Sequence, residues 1–417
     1  MSPDLRSRLA NSGFGPLLLL AALTTPAWAS PAPPLEDLLR LAPAAPTLAE
    51  GAASVRAAEA RVRQADVRRN PSLSLEVENF AGSRPFQGVS GSEITLAASL
   101  PLDVAGRRAA AVDVARAEVG VAQALGRQAA AEFARNLTVA YAEAEAADLQ
   151  LANRQQAADL ALQDAVVARE LVDAGREAEL RSIQALAALA AARSEVEVAR
   201  AERTEAFLTL TALAAAPAPF TSLSGTVLDR PAAGRTVEAS PDDSPAVVAA
   251  LAQRDAAARR IRVEQIRNRV DPVVSLGVRR LQGDEATALV AGVSTAFPFF
   301  DQNRGGTAAA QADLQAAEAR LRVARLQAEA GLASALARLS ATEVRLQSAR
   351  QSEGAAAEAA RLTRLGFDAG RLPLVEVLNA RRQLSEAQAR TLEGRLARVR
   401  AEADLVRLTG RTPFGVR

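Results

Sequence analysis

The residues able to do chemistry are few. Glu76 and Glu78 stand two apart in Ser72-Leu73-Ser74-Leu75-Glu76-Val77-Glu78, a spacing open to a paired-carboxylate acid and base. The alternation around them places both on one polar strand face, where two carboxylates turned to water need no catalytic role. Asp173-Ala174-Gly175-Arg176 recurs as Asp368-Ala369-Gly370-Arg371. Each reads as the turn that ends a helix, with Gly free to take the left-handed conformation. The chain has no His and no Cys, so the commonest general base, the thiol nucleophile and the soft metal ligands are missing. Neither a phosphate-cradling Gly-rich loop nor a nucleophile elbow occurs. The expectation is a protein that is not an enzyme, holds no cofactor and has no built metal site.

These residues sit in a duplicated frame. Asn70 to Leu102 reads Asn-Pro-Ser-Leu-Ser-Leu-Glu-Val-Glu-Asn…Ile-Thr-Leu-Ala-Ala-Ser-Leu-Pro-Leu and leads into an Ala/Arg/Glu-rich stretch. Asp271 to Phe299 reads Asp-Pro-Val-Val-Ser-Leu-Gly-Val…Leu-Val-Ala-Gly-Val-Ser-Thr-Ala-Phe-Pro-Phe and does the same. Each half is a short helix, a strand pair, a very long helix, a tight turn and a returning helix, and such internal repetition decides the fold.

Aromatics are 3% of the 417 residues, and every one of the 50 basic residues is Arg. Few large side chains mean no thick core, and abundant Ala lets helices pack closely along their length. With 48 acidic residues the net charge is only +2, and no basic run with interleaved aromatics appears, so nucleic acid is not an expected partner. At the N-terminus, Arg6 and Arg8, the apolar run Phe14 to Leu23 and the small-x-small Ala27-Trp28-Ala29 mark residues 1–29 as a cleavable signal peptide. Without Cys there is no lipidated N-terminal Cys and no disulfide.

Residues 30–47 are a Pro-rich leader, expected to be extended or disordered. The first repeat, 48–216, opens with a helix from Leu48 to Arg69 that Pro71 ends. Strands follow in which Leu73, Leu75, Val77, Ile94, Leu96 and Leu100 alternate with Ser72, Ser74, Glu76, Glu78, Thr95 and Ser99. From Arg107 to Val172 there is no Pro, and a helix of that length reaches roughly 100 Å. A return helix spans Glu177 to Leu213. A Pro/Gly/Ser/Thr-rich connector, 217–245, is expected to pack on the outside. The second repeat, 246–417, carries helices at Ala246–Arg269, Arg304–Phe367 and Leu374–Leu408 and strands at Pro272–Leu281 and Ala286–Phe297. The helix before each strand pair and the return helix together match the long helix, so they should stack end to end beside it.

Strands of about ten residues suit a tilted transmembrane β-strand. Lipid satisfies no backbone N–H or C=O group, so a four-stranded open sheet cannot sit in it and must close with other copies. Two copies would give eight strands, a small barrel whose interior side chains fill, and three would give twelve strands and room for a lumen. Glu76 and Glu78 would then line water.

On these stretches the chain resembles the TolC-like outer-membrane efflux factors. Within them it is similar to the heavy-metal (cobalt–zinc–cadmium, CzcC-like) branch, through Asn70 to Asn79, Leu100-Pro101-Leu102-Asp103-Val104-Ala105-Gly106-Arg107-Arg108, Ser275 to Arg280 and Phe297 to Gly305. The resemblance implies a mainly α fold with a small β part, a homotrimer with a twelve-stranded barrel in outer-membrane lipid, and a long periplasmic α-barrel. It implies a Gram-negative outer membrane and a channel for heavy-metal cations in a tripartite, proton-driven system. The partners would be a periplasmic adaptor (membrane fusion) protein and an inner-membrane resistance-nodulation-division type pump. It places gate and adaptor docking at the turns: Asp173, Gly175, Arg176, Phe367, Asp368, Gly370, Arg371, Glu376 and Asn379. Asn379 stands where the family usually has Asp, and Arg181 and Gln184 hold the equivalent positions of the first repeat. Arg107, Arg108 and Arg304, just past Pro101 and Pro298, are expected either at the barrel–helix junction or simply at helix starts, which serve equally well. A multidrug or protein-secretion channel of the same fold is the alternative, and an exported Ala-rich surface protein without a pore is the rival of another class.

Overall fold

A computed structural model describes residues 30–41, 45–84, 86–230 and 240–410. The expected signal peptide lies outside the described residues, as do parts of the leader and the connector.

The two repeats share one sheet. Strands β1 (Ser30–Ala32), β2 (Ser72–Glu78), β3 (Glu93–Pro101), β4 (Phe220–Leu223), β5 (Val273–Leu281) and β6 (Ala286–Ser294) form two sheets. One pairs β1 with β4; the other is antiparallel in the order β2-β3-β5-β6. The joint between repeats is the β3–β5 ladder, with Leu96 opposite Val278 and Ala97 opposite Gly277. A Cβ on Gly277 would lie 2.7 Å from the Leu96 carbonyl oxygen, so only glycine lets these strands meet.

The helices are α1 (Leu35–Leu41), α2 (Pro46–Ala65), α3 (Arg107–Asp173), α4 (Glu179–Leu213), α5 (Pro245–Ile266), α6 (Arg304–Asp368) and α7 (Leu374–Thr409). Toward the sheet they pack in the order α2-α3-α5-α6, which repeats the strand order; toward the turns α4 and α7 lie along α3, and α7 along α6. End-to-end stacking of the short helices beside the long ones is what the structure has.

The start of α3 is fixed by Asp103, whose carboxylate accepts the Arg107 and Arg108 amides at 2.7 and 3.0 Å, a helix cap that also suits the helix dipole. Arg107 reaches Asp271 at 3.1 Å and ties the two repeats, while Arg108 reaches Asp66 at 2.5 Å within the first; the third expected junction arginine, Arg304, donates to Gln302 at 3.1 Å. Asn303 holds the start of α6 by donating to the Glu264 carbonyl and carboxylate at 2.9 and 2.7 Å.

Three expectations fail. The leader is not merely extended: Leu35–Leu41 is a helix that buries Leu35 and Leu38, because Leu35, Leu38 and Leu39 share one helical face. The connector is not packed on the outside, for Phe220, Val227 and Leu228 belong to the largest core, with Phe133, Leu137, Tyr141, Phe207, Leu210 and Val399. The α2 helix ends at Ala65 rather than before Pro71; Asp66 caps it by donating its amide to Val62 and holds Arg108 with its carboxylate.

Polar groups buried in the rods tether the connector. The Glu145 carboxylate accepts the Val227 and Leu228 amides at 2.7 and 3.2 Å and the Thr226 hydroxyl. Arg398 donates to the Leu228 and Arg230 carbonyls at 3.0 and 2.7 Å. Its other neighbour is Glu402, 3.7 Å away. Burial pushes the Glu402 carboxyl above its ordinary range and Glu343 adds to the rise, against the pull of Arg398. A proton held more tightly folded than unfolded contributes stability that is fully present below the ordinary carboxylate range and is lost as pH climbs through the raised value. Glu402→Gln should therefore flatten the decline in thermal midpoint of the purified protein from mildly acidic to neutral pH. A slope equal to that of the unsubstituted chain would refute this.

Candidate functional site

Two ends of one long molecule carry the candidate residues. At the turn end, α3 and α6 stop on the same device: Gly175 and Gly370 take φ of 69° and 70°, and Arg176 and Arg371 donate their amides to Leu171 and Gly366 at 2.9 and 2.8 Å. One helical turn back, Arg169 pairs with Asp173 at 3.2 Å and Arg364 with Asp368 at 3.0 Å. The duplication reaches down to single ion pairs. Both aspartates, Arg176 and Arg371 are exposed; among the described residues the two arginines have no ion pair. Exposed pairs of this kind are worth at most about 1 kcal/mol, so the turns stand on their backbone geometry.

The remaining tip residues divide between core and surface. Phe367 is partly buried against a small cluster of Ala165, Ala168, Ala185, Leu189, Leu374 and Val377, with the Arg364 guanidinium 5.8 Å from its ring centre. Glu376 is exposed and Asn379 half-buried on the first turns of α7. In the other repeat Arg181 donates to Gln184 at 3.1 Å, so the equivalent positions are engaged with one another.

The strongest tie at this end was not legible in the sequence. Arg381 of α7 places one guanidinium nitrogen 2.5 Å from each oxygen of Asp164 on α3, and the Asp164 side chain is only 5% exposed. It crosses from one repeat to the other just above the tip cluster. The faint signal is a lone carboxylate among Ala161, Ala165 and Ala168, on the face that helical spacing turns inward.

At the sheet end, register sorts the side chains into two faces. Leu73, Leu75, Val77, Ile94, Leu96, Leu100, Val274, Leu276, Val278, Leu289 and Val293 share one; Ser72, Ser74, Glu76, Glu78, Glu93, Thr95, Ser99, Ser275 and Arg279 share the other. The first face, which also carries Arg280 near its end, has no partner among the described residues, and Leu289 is 81% exposed. On the polar face Arg279 bonds Thr95 at 3.0 Å and Glu93 at 2.9 Å and lies 3.4 Å from Glu78. Glu93 and Arg279 were missing from the expected lumen set of Glu76 and Glu78. Among the described residues the outer strands β2 and β6 each leave one edge unpaired.

Among the described residues no group of three or more His, Cys, Asp or Glu could hold a metal ion, and no helix is long and apolar enough to cross a membrane.

The family model described as outer membrane efflux protein matches residues 40–216 and 239–411, one match per repeat. The chain belongs to that family. It is 39% identical to the nickel-cobalt-cadmium resistance protein NccC of Alcaligenes xylosoxydans xylosoxydans over 402 residues, 96% of this chain and 92% of that protein. It is 40% identical to the nickel and cobalt resistance protein CnrC of Cupriavidus metallidurans over 301 residues, 72% of each. Among solved structures it is similar to the open-state MtrE outer membrane channel of Neisseria gonorrhoeae, with a TM-score of 0.75 at 20% identity over 90% of this chain and 88% of that one. The fold is thus the TolC-like channel fold, and the protein is an outer-membrane efflux component that reaches into the periplasm, not an enzyme.

Removing one partner of a buried pair strands the other charge and costs about 3–5 kcal/mol. Arg381→Ala should therefore speed amide hydrogen exchange in residues 161–189 and 374–380 while the sheet is unaffected. Protection unchanged at the tip would show that the pair does not hold it.

Proposed function

We propose that three copies of this chain form the outer-membrane duct of a tripartite, proton-driven system that exports heavy-metal cations. One observation carries the reading of a duct: a four-stranded sheet with an apolar outer face and two open edges crowns a helix of 67 residues, which is roughly 100 Å long. An open sheet is not viable in lipid, and identical copies supply the missing strands at each edge. The helices α2, α3, α5 and α6 follow the strands in the same lateral order, so a ring of strands continues as a ring of helices.

The cargo rests on the relatives NccC and CnrC, which are named for nickel, cobalt and cadmium resistance. The cations are substrate and cross as hydrated ions. The duct itself supplies a walled aqueous path, while an inner-membrane pump of the resistance-nodulation-division type supplies the energy. A periplasmic adaptor is the natural joint between them, and the exposed Asp173, Arg176, Asp368 and Arg371 are where it would grip. The Asp164–Arg381 pair holds α7 against α3, so the tip narrows while it is intact and widens when α7 swings away. Glu376 and Asn379 would face the narrowed opening, with one carboxylate per chain where the family usually has two.

Deleting the gene from its native host should make growth more sensitive to nickel, cobalt or cadmium salts, with tolerance restored by the intact gene. Sensitivity to dyes or antibiotics with metal tolerance unchanged would replace the cargo and keep the duct. Unchanged tolerance to every compound would contradict an efflux role under those conditions. In planar bilayers Arg381→Ala should raise single-channel conductance; conductance equal to the unsubstituted channel would remove the pair from the gate.

A further inference from the structure

On the polar face of the sheet only Glu76, Glu78, Glu93 and Arg279 are charged. Three of them form a closed group. Arg279 binds Glu93 at 2.9 Å, reaches Glu78 at 3.4 Å and occupies the Thr95 hydroxyl at 3.0 Å, and Glu93 also accepts from Asn79 at 3.3 Å. Glu76 stands outside this group. It is exposed on edge strand β2, its cross-strand neighbour is Thr95, and among the described residues it has no ion pair.

We infer that Glu76 is a specificity-determining residue of the barrel wall, one that biases the pore toward cations. The strand that closes against it gives it no counter-charge. Strand β6, which must close against β2, reads Ala-Thr-Ala-Leu-Val-Ala-Gly-Val-Ser and has no charged residue on either face. No register of β6 against β2 therefore sets a charged side chain directly beside Glu76, and the neighbour's Arg279, one strand further on, is held by its own Glu93 and Glu78. A barrel of three chains holds three unscreened Glu76 carboxylates near one level. Each adjoins an Arg279 group that is itself one negative charge in excess. A narrow aqueous wall of one sign concentrates counter-ions and repels co-ions, which suits a duct for cations. Glu76 binds nothing; it sets the field through which the ions pass.

The inference rests on the three-copy barrel proposed above and not on the cargo. Its test is separate from the growth assay, and native mass first establishes that each variant is still a trimer. Purified channels in planar bilayers are placed in a tenfold KCl gradient, and the potassium-to-chloride permeability ratio is read from the reversal potential. Glu76→Gln should lower the ratio about twofold, and Glu76→Arg should lower it further. Ser74→Gln, a bulkier neutral side chain on the same face, should leave it unchanged. The shift should shrink in molar salt, where the screening length is about 3 Å. Ratios unaltered in both Glu76 variants, or altered as strongly by Ser74→Gln, would overturn the assignment.

Discussion

Backbone hydrogen bonding at the two open edges of the β2-β3-β5-β6 sheet governs the rest of the molecule. Each unsatisfied N–H or C=O in hydrocarbon costs several kcal/mol, so an edge of seven to nine residues is untenable there. Water tolerates such an edge, but the face carrying Leu73, Leu75, Leu276 and Leu289 is untenable in water. The two demands are met together only when the sheet closes on itself with lipid outside and water inside. One chain has too few strands to close, and identical edges on identical chains provide the remainder.

The helices inherit their arrangement from that sheet. Because α2, α3, α5 and α6 are tied beneath their strands by Asp103, Asp271, Asp66 and Glu264, a curved sheet enforces a curved row of helices. Small residues let the row pack tightly: a Cβ on Gly51 of α2 would sit 3.6 Å from the Gly126 backbone of α3. Large side chains are kept for the middle of the rods, where the connector, α1 and the short β1–β4 pair wrap α3 and α7. Buried Glu145 and Arg398 there bind the connector's backbone, which fixes its path without a thick apolar core. The molecule is thus stiff at its waist and held at its tip by one buried pair.

Much of this was legible in the chain. The period-two alternation of Ser72 to Glu78 and the absence of proline after Arg107 gave strands and helices within a few residues of their observed ends. The paired Asp-Ala-Gly-Arg turns gave the repeat and the tip, since left-handed glycine leaves a local signature. What stayed hidden depends on partners remote in sequence. Asp164 and Arg381 are 217 positions apart, and nothing local separates them from the many exposed Glu and Arg around them. Arg279 and Glu93 are likewise joined only by register. The α1 helix and the buried connector were masked by proline, which reads as loop even where isolated residues such as Leu35, Phe220 and Leu228 are enclosed by the rods.

The central claim is that β2 of one copy closes against β6 of another. The chain has no native Cys, so cysteine pairs report contacts cleanly. Ser74→Cys is combined in turn with Ala288→Cys, Val290→Cys and Gly292→Cys, and protein in outer membranes is oxidised and separated by size. One of these pairings should give covalent dimers and trimers that collapse to monomer on reduction. Monomer alone in every pairing, with the β signal intact, would contradict closure between copies.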